Sequence, residues 1–388
     1  MNPVAGGAAP VETHPVDRFI DSASDPAPTE HEPAAAAENQ NGIRAQPSTD
    51  DLAEAPAEVP AEVPPDDVRR ALRAERIGLL SVSLGAAGLG GAWQSATATV
   101  SAPVGISDGL FAVSGLIWLV LLAEYVRHGG ARWTNLKHDL GHPGQGFALA
   151  YIPIVGMLFA AHFSRFGLQT ARWAYAAFAV VAAVVAARLL AHWLTGTLSA
   201  SPLHPGYLLP VSSGPFIASV TASSLRLPEV AEGAFAVGLL YWLAFGTVVL
   251  GSLVANPGLP ARARPTLTVL GIPPATGGLA WTAAHPGPVD AVGYGFAGLV
   301  AFTLLIIVCL LPDLRQQSFH AGFWTFSFPI AATANFAIRW VHGADVPAWR
   351  PLTWIVLSAA SLALAALAVA TVVHVLRGRP HPSGAHRA

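Results

Sequence analysis

The sequence predicts an all-α integral membrane protein, with ten transmembrane helices arranged as five helical hairpins. Three observations predict it. Of 388 residues, 53% are hydrophobic and only 11% are charged, where a soluble domain carries about 25% charged residues. Ten apolar stretches follow one another, each close to the ~20 residues that cross ~30 Å of hydrocarbon. Proline recurs inside alternate stretches only.

Residues 1–67 come first and read differently. They are rich in Ala, Pro, Glu and Asp and poor in aromatics. Such a segment buries too little apolar surface to offset its ordering entropy and is expected to be a disordered acidic tail. No cleavable signal is expected, because the basic-then-apolar pattern is missing. The net charge of −2 hides a division. The tail holds 14 of the 23 acids and two bases, Arg18 and Arg44, which leaves 9 acids and 19 bases in the remainder. That basic field favours anions, although cytoplasmic loops of any membrane protein are also arginine-rich.

The ten-helix domain is expected over 68–376, with a short basic tail at 377–388. Its spans are read at 77–100, 106–126, 146–163, 173–194, 206–223, 230–255, 266–284, 290–311, 322–341 and 351–376. With the N-terminus inside, the inner flanks carry 13 Arg or Lys residues and the outer flanks 5. Both termini are therefore expected in the cytoplasm. A multi-pass protein of the cell (inner) membrane follows.

From the third span onward every odd span holds interior proline. These are Pro153 in YIPIVGM, Pro210 and Pro215 in LLPVSSGPF, Pro273 and Pro274 in GIPPATGG, and Pro329 in FSFPIAA. The first span is instead glycine-rich, with Gly85, Gly88, Gly90 and Gly91. The even spans read as smooth apolar helices. Proline inside a helix removes a backbone donor, which is tolerated where the freed groups face a water-filled path. All odd spans run the same way, so most prolines fall ~10 Å past the cytoplasmic edge at 1.5 Å per residue. The expected arrangement is an inner ring of kinked odd helices around a pore, inside an outer ring of even helices. Kinks that serve packing alone are the competing reading.

The expected lining is small and neutral: Ser212, Ser213, Gly214, Thr276, Gly277, Gly278, Thr333 and Asn335. Hydroxyl and amide groups replace part of an anion's water without holding it tightly. Phe328, directly before the break, is placed to plug such a lumen, and Trp324 and Phe326 compete for that role. At the cytoplasmic mouth a basic residue precedes proline at His142-Pro143, His204-Pro205 and Arg264-Pro265. These pairs are helix starts and can also attract anions. No catalytic motif is present. The single cysteine, Cys309, offers no metal-site spacing. No enzyme activity, cofactor, metal or nucleic-acid partner is expected. No acid or base lies near a span's midplane, which favours a passive path over proton coupling.

RPTLTVLGIPPATGGLAW at 264–281 and FWTFSFPIAATA at 323–334, with the ten-span pattern, resemble the tellurite-resistance and dicarboxylate transporter family. That family includes the bacterial tellurite-resistance protein and the plant slow anion channels. The resemblance covers about 76–376. It implies five hairpins around a pore, a homotrimer in the bilayer with one pore per subunit, and occlusion by a ninth-helix phenylalanine, here Phe328. The expected function is passage of small inorganic or organic anions. A coupled exporter of C4-dicarboxylate or sulfite is the alternative, and a membrane-embedded protein that transports nothing is the second.

Overall fold

A computed structural model describes residues 65–142, 146–195, 203–255 and 259–377. The tail to residue 64, Pro143 and the segment beyond 377 lie outside the described residues. Every regular element among those described is helical.

The even spans are long and continuous. They form α2 (Val104–Arg127), α5 (Leu168–Leu194), α7 (Pro228–Ala255), α9 (Ala291–Arg315) and α11 (Trp349–Arg377). Each buries only 11–22% of its most apolar stretch. In α2 the buried residues Ser107, Phe111, Ser114, Leu121 and Tyr125 share one stripe, while Val113, Leu116, Leu119 and Val120 stay exposed. A helix apolar on its exposed face suits lipid rather than water.

The first span begins early, as α1 (Pro65–Val100). The four later odd spans change winding along their length. Tight turns at Gly146–Ala150, Pro205–Tyr207, Ala261–Gly271 and Ala321–Phe326 precede α4 (Tyr151–His162), α6 (Gly214–Ser224), α8 (Ile272–Ala284) and α10 (Ser327–Gly343). A π turn, Leu209–Ser213, also precedes α6. Pro153, Pro215, Pro273, Pro274 and Pro329 stand in the first turn of these α-helices. There the missing N–H has no intrahelical acceptor to lose. The prolines therefore open α-helices rather than interrupt them, and the bend is a junction between two windings.

Among the described residues six stretches are long and apolar enough to cross a membrane by themselves: the five even helices and 146–166. The predicted spans 77–100, 206–223, 266–284 and 322–341 are not among them. The junctions leave α6, α8 and α10 with 11, 13 and 17 residues, under the ~20 needed.

Each long helix packs on the odd segment before it: α2 on α1, α5 on α4, α7 on α6, α9 on α8 and α11 on α10. The odd segments also touch one another in sequence, α1 with α4, α4 with α6, α6 with α8 and α8 with α10, and α10 touches α1. The α1–α10 contact depends on glycine. A Cβ on Gly85 would collide with the Ser327 side chain. Ser327 Oγ donates to Ser81 O at 3.2 Å, across that contact. Small residues that let backbones approach are the usual basis of helix association in lipid.

One element was not expected. Between α2 and the third span lies α3 (Trp133–Gly141), with Trp133 exposed and Asp139 buried. Arg73 Nε donates to Asp139 Oδ2 at 2.9 Å, and Tyr125 Oη donates to the same oxygen at 3.1 Å. This buried pair ties α3 to α1 and α2.

Candidate functional site

At the junction into α10 the three candidate gate aromatics, Trp324, Phe326 and Phe328, point apart. Trp324 Nε1 donates to Thr371 Oγ1 of α11 at 2.8 Å. Phe326 stacks on Phe323 with ring centroids 5.7 Å apart, and both line a surface pocket with Leu314 of α9 and Leu367 of α11. Phe328 turns toward α1. It is 6% exposed, and a Cβ on Gly88 would stand 2.9 Å from its Cδ2.

Toward the C-terminal ends of the odd segments a cavity of about 430 Å³ opens. Each odd segment supplies it with a polar side chain: Ser95 from α1, His162 from α4, Thr221 from α6, Thr282 from α8 and Arg339 from α10. Arg339 is half-buried and its Nε donates to Ser95 Oγ at 3.0 Å. Ser95 Oγ in turn donates to Asn335 Oδ1 at 2.6 Å. His162 is buried and stacks on Phe111 at 3.8 Å. Its Nε2 lies 3.1 Å from Asp108 Oδ1, which also pairs with Arg165 Nη2 at 2.9 Å. Asp290, another wall residue, accepts from Gly293 N at 2.8 Å and from Trp281 Nε1 at 2.9 Å.

The sequence-predicted lining residues do not share one surface. Ser212 and Ser213 are fully buried, and their hydroxyls find no partner among the described residues; Ser219, not singled out from sequence, is the same. Thr276 Oγ1 donates to its own helix at Ile272 O, 2.8 Å away. Gly277 faces Phe296 of α9 and Phe216 of α6, while Gly278 faces Phe336 of α10. Pro210, Gly214 and Pro215 line a separate apolar cavity of about 520 Å³ with residues of α5 and α7. Thr333 is half-buried, and Pro153, Pro273, Pro274 and Pro329 are buried.

At the opposite end, His142 and Arg264 are exposed. His204 instead caps its turn, its Nδ1 accepting from Gly206 N at 3.1 Å. Burial pushes its pKa down to about 4, so the ring is neutral near pH 7. His320 Nδ1 accepts from Gly322 N at 3.1 Å in the same way. The shared His-X-Gly spacing is a sequence signal for this cap, and the ninth span's copy went unread because alanine replaces proline.

The family described as voltage-dependent anion channel, SLAC1, matches residues 76–372. A tellurite resistance protein TehA homolog from Haemophilus influenzae is 24% identical over 274 residues, 69% of this chain and 81% of the relative. The S-type anion channel SLAH2 of Arabidopsis thaliana is 26% identical over 162 residues, 42% of this chain and 31% of the relative. The guard cell S-type anion channel SLAC1 of the same plant is 20% identical over 161 residues, 42% and 29%. The chain thus spans less than a third of either plant relative's length.

Proposed function

We propose that this chain, which belongs to the SLAC1 family of voltage-dependent anion channels, carries small anions across a membrane through a conduit between its five odd segments. The observation that carries the reading is the cavity to which all five contribute a polar side chain. The closed sequence of contacts from α1 through α4, α6, α8 and α10 back to α1 supports a ring around it. The exposed apolar faces of α2, α5, α7, α9 and α11 support an outer, lipid-facing layer. In this reading Phe328 is the gate, lying against Gly88 between α10 and α1.

The reading extends to assembly and placement. The protein acts as a homotrimer in the cell membrane, with both termini in the cytoplasm and the acidic tail preceding the transport domain. It works by conduction, without enzyme chemistry. Purified protein in liposomes should pass anions in a substitution series, with currents reversing at the anion's Nernst potential. Well-folded protein that passes no anion would remove the proposal.

A second reading, a proton-coupled exporter of a dicarboxylate or sulfite, draws on His162 in the cavity wall and its partner Asp108. Proton flux stoichiometric with anion flux separates it from a passive channel.

A further inference from the structure

We infer that the cavity holds a small planar oxyanion, bound by the Arg339 guanidinium and the Asn335 amide. The inference rests on the transport reading for its role, but the site is argued from its donors. Arg339 is the fixed cation in the wall. Among the described residues no carboxylate pairs with it. Its Nε is occupied by Ser95, which leaves the outer edge of the guanidinium, with its two parallel N–H groups. That edge matches two oxygens of a planar anion better than it matches a spherical halide.

Ser95 also orients the amide. It donates to Asn335 Oδ1, so the amide oxygen turns to Ser95 and the NH2 is the opposite end. That nitrogen lies on the Gly91 side, 3.1 Å from where a Cβ on Gly91 would stand. Gly91, Ser95, Asn335 and Arg339 all line the same cavity. One seryl hydroxyl thus aligns an arginine and an amide, leaving the guanidinium edge and the amide N–H groups as donors. A cation beside free N–H donors suits an anion.

The acids nearby do not cancel it. Asp290 is already satisfied by Gly293 N and Trp281 Nε1. Asp108 is engaged by Arg165 and faces His162. The remaining ionisable wall residues are histidines: His285 stacks on Trp281 and His342 packs on Trp349. A salt bridge that merely holds α10 to α1 would need an acid on α1, and Ser95 stands there instead.

The test uses the full-length protein and nitrate as probe, against gluconate at equal ionic strength. Nitrate should raise the unfolding temperature of the wild type in detergent. In Arg339→Gln and in Asn335→Asp, which seats a carboxylate beside Arg339, that rise should vanish. Half-saturating nitrate for flux should increase about tenfold or more, the size expected for losing hydrogen bonds to a charged group. Arg339→Lys keeps the charge without the fork and should lose the preference for nitrate over chloride while still passing chloride. Asn335→Asp variants that keep the wild-type nitrate dependence would overturn the site. Nitrate binding without flux in the wild type would instead leave the site standing and remove the transport reading.

Discussion

The Phe328 ring lies directly on Gly88: a single added methyl carbon there would stand 2.9 Å from Cδ2. Carbon atoms pack at about 3.5–4.0 Å, so α1 has no room for a side chain at this point. The seat of the proposed gate is therefore the absence of a Cβ on the facing helix.

Phe328→Ala should raise anion flux in liposomes by about an order of magnitude, which corresponds to lowering a barrier by ~1.4 kcal/mol. Removing a buried phenylalanine typically costs ~3–5 kcal/mol of stability, so flux is normalised to folded protein. Unchanged or lower flux would leave Phe328 as a packing residue only.

Gly85→Ala should weaken the α1–α10 contact, since the new methyl group collides with Ser327. Overpacking of this kind typically costs ~1–3 kcal/mol, read as a lower unfolding temperature in detergent. Gly105→Ala, at a position open to space, serves as the control and should show no comparable loss.

Asp139→Asn should destabilise the protein more than Tyr125→Phe. The first leaves the buried Arg73 unpaired, a loss of ~3–5 kcal/mol when one partner of a buried pair is removed. The second removes one hydrogen bond to a charged group, ~1.5–3 kcal/mol. Thermal unfolding of both single variants and the double variant measures the coupling.

His204 should make stability pH-dependent. Its pKa, pushed down to about 4 by burial, lies below the ordinary ~6.5 of the unfolded chain. Between those values the unfolded state binds the extra proton, so stability falls as pH falls. The contribution is complete above pH ~6.5, is lost by pH ~4, and amounts to roughly 3 kcal/mol at most. His204→Asn keeps an acceptor for Gly206 N but does not titrate. Its unfolding profile should be flatter across that window.

Much of the fold was legible because its signals are local. The smooth helix at 168–194 follows from an uninterrupted apolar run, whereas Pro273 and Pro274, expected as kinks inside one span, stand in the first turn of α8. What proline alone did not reveal was the type of distortion. A tight turn handing over to an α-helix, as at Phe326–Ser327, and a true mid-helix break place proline in the same hydropathy pattern. Helix α3 was missed because nine residues with Lys137 and Asp139 read as a loop until Asp139 meets Arg73. The expected lining was legible only as composition. Gly277 and Thr276 are neighbours on one helix, yet one faces Phe296 and the other bonds its own backbone.

By itself the sequence determined an all-helical membrane chain, the rough limits of its five long smooth helices, their alternation with bent segments, and the family likeness. Those properties depend on residues adjacent in the chain, where hydropathy and backbone chemistry act directly. Tertiary structure alone decided that Phe328 faces Gly88 while Trp324 faces Thr371. It alone brought Ser95 to Arg339, 244 positions away. Side-chain direction at a helix crossing is set by which helices pack together and how closely, and small residues such as Gly85 control that distance through contacts no local pattern contains.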